Sequence, residues 1–86
     1  MPELCRFYGI SIYMYYFDHN PPHFHVVYGE YEAVFMIDGI RLMKGNVPNR
    51  VERMVKEWGS LNIELLKENW NRCMIGEEII KIDPLI

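Results

Sequence analysis

The sequence predicts an α+β fold: an antiparallel four-stranded meander, with room for a short C-terminal fifth strand, covered on one face by two helices. Three observations predict it. Residues 9–44 fall into short runs rich in β-branched and aromatic side chains. Turn signals separate those runs at Pro21-Pro22, Gly29-Glu30 and Asp38-Gly39. Beyond Pro48 the apolar positions change to helical spacing.

The first strand is read over Gly9–Phe17, followed by "FHVVY", "YEAVFMI" and "IRLMK". Gly29-Glu30 places glycine first in a two-residue loop, the type II′ signature, and Asp38-Gly39 carries the type I′ signature. These turns pair Tyr28 with Tyr31, Val26 with Ala33, Phe24 with Phe35, Ile37 with Ile40 and Phe35 with Leu42. Side chains alternate along a strand, so one face collects Phe24, Val26, Tyr28, Tyr31, Ala33, Phe35, Ile37, Ile40 and Leu42. No charge interrupts that set. If Phe17 opposes His23 across the Asp18–Pro22 loop, then Ile10, Ile12, Met14 and Tyr16 join it. A one-residue slip would invert the first strand and lose the match. This face is the expected core.

Two amphipathic helices supply its cover. Pro48 suits a first helical turn, and Val51, Met54, Val55 and Trp58 follow at helical spacing. Gly59 is expected to end that helix and Ser60 to cap the next. Leu61, Leu65, Leu66, Trp70 and Cys73 form the second apolar stripe, and Gly76 closes it. Trp58 and Trp70 read as core anchors. "EIIKID" can add the fifth strand.

The opposite face receives His23, His25, Val27, Glu32, Val34, Met36, Arg41 and Met43, with Ser11, Tyr13, Tyr15 and Phe17. All three histidines of the chain lie within "DHNPPHFHV". His23 and His25 point the same way, about 6.6 Å apart along the strand. Tyr15 is expected across from His25, with Glu32 diagonal to it. His19 and Asp18 approach from the loop.

Three uses of this cluster are open. Imidazoles two apart on a strand, joined by His19 and by Asp18, suit a divalent metal such as zinc, and three protein ligands plus water is the catalytic zinc arrangement. Alternatively, His23 and His25, assisted by Tyr15 or His19, act as general base and acid, with Arg41 as the cation for a phosphate. RNA cleavage at the 2′-hydroxyl needs little more. The third use is structural, with imidazoles bonding the backbone around the Asn-Pro-Pro turn. The Tyr13/Tyr15/Phe17 row offers stacking surfaces for bases, and Val34, Met36 and Met43 leave the same face partly apolar, as a protein interface requires.

The totals bound the class. Eighty-six residues make one domain, 1–86, burying roughly 60% of its unfolded surface, so a partner or a second copy would add stability. A net charge of −3 opposes binding by broad phosphate neutralisation, although Arg41, Lys44, Arg50 and Arg53 cluster in sequence. The first residues lack a signal-peptide pattern, and no run approaches the ~20 apolar residues of a membrane span. Cys5 and Cys73 make neither a CxxC pair nor a disulfide framework, which fits reduced thiols in the cytoplasm.

"RFYGI", "DHNPPHFHVVYGEYEAVF", "VKEWGSLNIELLKENW" and "KIDPL" together resemble the DUF4160 family of small bacterial proteins of unknown function. The corresponding histidines are His19, His23 and His25, around Pro21-Pro22. The resemblance implies a protein often encoded beside a DUF2442 protein, hence a partner-binding component of a toxin–antitoxin-like pair. The chain departs from common members at "IDGIRLMKGNVPNR", where a TGE-like turn is more usual.

Overall fold

A computed structural model describes residues 2–86. The elements are β1 (Glu3–Phe7), β2 (Ile10–Tyr13), β3 (His23–Tyr28), β4 (Tyr31–Met36), β5 (Arg41–Gly45), α1 (Asn49–Leu61) and α2 (Ile63–Met74). All neighbouring strands pair antiparallel in the order β1-β2-β3-β4-β5. The α+β architecture is as expected, but the fifth strand comes from the N-terminus. Its hairpin turns at Tyr8-Gly9, where both residues have positive φ (49° and 79°), a demand that a tyrosine in sequence does not advertise. A register shift between Glu3 and Cys5 lets the consecutive residues Leu4 and Cys5 both be buried.

The C-terminal segment forms no strand, because side chains take its backbone groups instead of a ladder. Asn69 Nδ2 donates to the Ile80 carbonyl (2.9 Å) and its Oδ1 accepts from the Ile80 N–H (2.7 Å). Trp58 Nε1 donates to the Asp83 carbonyl at 2.8 Å. One backbone bond, from Ile82 N–H to Leu4 O, ties the tail to the β1 edge.

The β3–β4 register is as read from the sequence, with Tyr28 facing Tyr31 and Phe24 facing Phe35. Gly29 alone of the Gly29-Glu30 pair has positive φ, as a type II′ turn requires. The Asp38-Gly39 turn differs. Gly39 and Ile40, not Asp38, have positive φ, so the turn is not type I′. Ile40 N–H still donates to Ile37 O at 3.2 Å, and Phe35 still faces Leu42. The first pairing is displaced by two residues: Tyr13, not Tyr15, faces His25, and β2 ends there. An even displacement preserves parity, so Ile10, Ile12 and Met14 stay in the core.

Tyr16 leaves the expected core because it sits in the turn beyond β2, and Tyr31 and Leu42 lie at a hairpin end and on the edge strand. All three are about 40% exposed (40%, 43% and 38%). One core cluster joins the sheet residues to Val51, Val55, Trp58, Leu66, Trp70 and Cys73. Trp58 anchors it, its ring 5.8 Å from Phe7 and 6.0 Å from Phe24.

The break between the helices falls at Asn62 rather than Gly59-Ser60. Asn62 Nδ2 bonds the Trp58 carbonyl at 2.8 Å, and Leu61, expected in the second stripe, is exposed. Gly59 stays helical and serves contact instead: a Cβ there would come 2.8 Å from Ile40 Cγ2. No helix among the described residues is long and apolar enough to cross a membrane.

Candidate functional site

The expected corner is assembled by the chain between β2 and β3. After Tyr13 the chain leaves the sheet, turns at Tyr16-Phe17 and docks through a Phe17 N–H bond to the Cys73 carbonyl at the end of α2. The return passes through Asn20-Pro21-Pro22 into β3, where His23 and His25 share a face by strand alternation. Asp18, on the outgoing arm, is thereby brought over both rings.

Asp18 Oδ2 lies 2.9 Å from His23 Nε2 and 3.2 Å from His25 Nε2. The carboxylate's other oxygen, Oδ1, accepts the His19 backbone N–H at 2.8 Å. His23 Nδ1 donates to the Pro21 carbonyl at 2.7 Å, a bond a carbonyl can only accept. The loop therefore fixes the rotation of the His23 ring and the orientation of the Asp18 carboxylate at once. Burial pushes the Asp18 carboxyl up. The His19 N–H and the two imidazoles outweigh it, leaving the group below the usual carboxylate range.

The surroundings of the two histidines differ. His23 is buried, 7% exposed, with its ring 5.2 Å from Trp70 of α2. It was expected off the main core; lying at the start of β3, where the connecting loop folds against α2, it is covered by that helix. His25 is half-buried among phenols. The Tyr13 ring stacks on it at 5.4 Å, and Tyr15 meets it edge-on at 4.6 Å. Tyr15 thus touches His25 as expected, though by a turn of the chain rather than by strand pairing. Burial pushes the Tyr13 hydroxyl up to about 12, with Tyr15 acting in the same direction.

Asp18, His23 and His25 each offer an atom within 4.8 Å of the others. Two residues read as candidates stand outside this group. The His19 ring is exposed, and His19 serves through its backbone N–H. Arg41 is exposed on β5, with its stem and Nε about the Gly39 turn: a Cβ on Gly39 would lie 3.4 Å from both its Cγ and Nε.

Beside His25 the open sheet face forms a depression of about 330 Å³, lined among others by Tyr13, Glu32, Val34, Lys44 and Gly45. Lys44 reaches this wall because a bulge between Val34 and Phe35 sets it opposite Val34. Sequence reasoning placed Lys44 only in a loose basic run; the bulge that turns it into the depression has its trace in Gly45, whose φ of +76° no ordinary residue adopts freely. Asn69, which fixes the tail, had no sequence signal beyond being polar on an apolar stripe.

No curated protein and no solved structure matches the chain. Residues 9–71, which include the whole cluster and most of both helices, match the family described as "Domain of unknown function (DUF4160)". The chain belongs to the DUF4160 family.

Proposed function

We propose that this chain is a small hydrolase of phosphodiesters, RNA the favoured substrate class, with Asp18, His23 and His25 as its reactive centre. The observation that carries the reading is the convergence of two imidazoles and a carboxylate, one of which, His25, also lines a depression that holds Lys44. The cluster supplies an acceptor for the proton of the attacking hydroxyl or water. Lys44 offsets charge on the phosphate oxygens in a partly enclosed site, where such pairing counts for more than in open water. Tyr15, exposed beside the buried Tyr13, offers a ring for a neighbouring base.

Cleavage of a fluorogenic ribo-oligonucleotide by the purified chain tests this. Loss of a positioned acid–base group costs about 10²–10⁴ in rate, so His25→Ala is expected to fall at least a hundredfold, and Lys44→Ala to weaken substrate binding. An inactive wild type, or an active His25→Ala, sinks the reading.

A second reading rests on a separate observation. Tyr15, Tyr16, Phe17 and Ile75 are all exposed beside the cluster, Phe17 and Ile75 by 68% and 69%. Such a patch supports a partner-binding role within a toxin–antitoxin-like pair, with the partner encoded nearby or a second copy of this chain. Both cysteines are free and buried, which fits a cytoplasmic setting. Co-expression with the neighbouring gene product should give a stable complex that Phe17→Asp disrupts; a monomer that captures nothing removes this reading.

A further inference from the structure

We infer that Asp18 Oδ2, His23 Nε2 and His25 Nε2 bind one divalent transition-metal ion of the zinc class. The inference deepens the hydrolase reading by naming the cofactor of that site, and its binding test stands apart from any test of cleavage.

The argument begins with hydrogens. Pro21 O takes the proton on His23 Nδ1, so in a neutral ring Nε2 presents its lone pair. That lone pair points at a carboxylate oxygen 2.9 Å away, and an ionised carboxylate also offers only lone pairs. Two acceptors at that distance repel unless a cation lies between them, either a second ring proton or a metal ion. A proton satisfies the His23–Asp18 pair, with a neutral His25 donating its own Nε2–H to the same oxygen. A metal ion also uses His25, whose Nε2 lies 3.2 Å from the same oxygen.

The dimensions fit. Zinc bonds of about 2.0–2.2 Å in a tetrahedral shell set neighbouring ligand atoms roughly 3.3 Å apart. The two N–O separations are 2.9 and 3.2 Å, and all three atoms lie within 4.8 Å. The N–O edges are within a few tenths of an ångström of that spacing, and the two Nε2 atoms, within 4.8 Å of each other, close towards it on binding.

The outer contacts fit as well. Metal-bound imidazoles commonly donate their other N–H to a backbone carbonyl, and metal-bound carboxylates are themselves hydrogen-bonded. His23 does the first through Pro21, and Asp18 does the second through His19 N–H. The donor set of two nitrogens and one oxygen selects a borderline ion such as zinc over calcium or magnesium. Both thiols lie in the core and are no part of the group. Three protein ligands would leave a position for water, whose pKa a bound metal of this class lowers to about 7.

Untagged full-length protein, stripped with chelator, is titrated with zinc by calorimetry and with cobalt(II) by visible absorption. One ion per chain is expected, with the absorption of a low-coordinate nitrogen and oxygen shell and a zinc-dependent rise in Tm. His25→Ala and Asp18→Asn, with circular dichroism as the folding check, should lose at least tenfold in affinity. His19→Ala should bind as wild type does. Absence of saturable binding in the wild type, or unchanged binding in the folded His25→Ala and Asp18→Asn proteins, overturns the site. Loss of binding in His19→Ala overturns the three-ligand assignment. Lys44→Ala should keep zinc while binding substrate more weakly. A wild type that binds zinc and cleaves nothing retires the phosphodiester reading but keeps the metal. Cleavage by protein free of metal keeps the phosphodiester reading and removes the ion from the reaction, leaving the binding site to the titration.

Discussion

The two faces of the sheet are made by the same strands and differ in almost everything else. Under the helices, Ile10, Ile12, Phe24, Val26 and Phe35 are wholly buried with no polar side chain among them. On the other face, residues one step along the same strands, Tyr13, His25, Glu32 and Val34, line a depression. Alternation alone produces this contrast. The covered face supplies stability and the open one carries the proposed site, so most substitutions should act on one quantity or the other.

The largest effect is expected at the centre of the covered face. Trp58→Ala removes a buried indole packed on Phe7 and Phe24 and the bond that holds the tail at Asp83. It should cost about 3–5 kcal/mol in urea unfolding. Met43→Ala on exposed β5 should stay within about 0.5 kcal/mol. Similar losses at the two positions would refute the division.

Asp18→Asn sharpens the comparison from the other side, because a carboxylate bonded to two imidazoles stabilises the fold as well as the site. In metal-free protein it should cost about 1–2 kcal/mol near neutral pH, within the range of hydrogen bonds to charged groups. The folded Asp18 titrates below its unfolded value. Its contribution is therefore complete above the unfolded carboxylate range and lost as pH falls through the folded pKa. Urea midpoints of wild type and variant should converge towards acid. A gap that persists below that window would mean the carboxylate charge is not the cause.

How much of this was legible depended on the reach of the signal. Parity is local and strong, so the two faces, the shared side of His23 and His25, and the β3–β4 register could all be read directly. The length of the connection between β2 and β3 could not, since ending β2 at Tyr13 or at Phe17 gives the same parity. What decides it is a long-range bond from Phe17 to Cys73. The burial of His23 against Trp70 is hidden for the same reason. β1 was missed because Tyr8 adopts a turn conformation usually left to asparagine or glycine. Gly59 was read as a helix stop because glycine is the usual stop signal. Its role beneath Ile40 exists only once the loop at residues 37–40 is folded over the helix.

Gly59→Ala probes that misreading. In a free helix alanine gains about 1 kcal/mol over glycine. Here the new methyl would lie 2.8 Å from Cγ2 of Ile40, a β-branched side chain with little freedom to move and a positive φ of its own. Overpacking costs about 1–3 kcal/mol, so a net loss of about 1 kcal/mol is expected. A stabilised variant would return Gly59 to the status of a simple helix breaker.

The smallest effect belongs to the outer surface of α1, which neither face of the sheet uses. Lys56 Nζ lies 2.9 Å from Glu52 Oε2 one helical turn away. With the lysine half exposed, water and salt screen most of the attraction, and fixing two long side chains offsets more of it. A double-mutant cycle should give about 0.3–0.5 kcal/mol, fading at high salt. A coupling of several kcal/mol would show that α1 is held by its outer surface as much as by Val51, Val55 and Trp58. The sheet would then no longer divide the molecule into a stabilising side and the side of the proposed site.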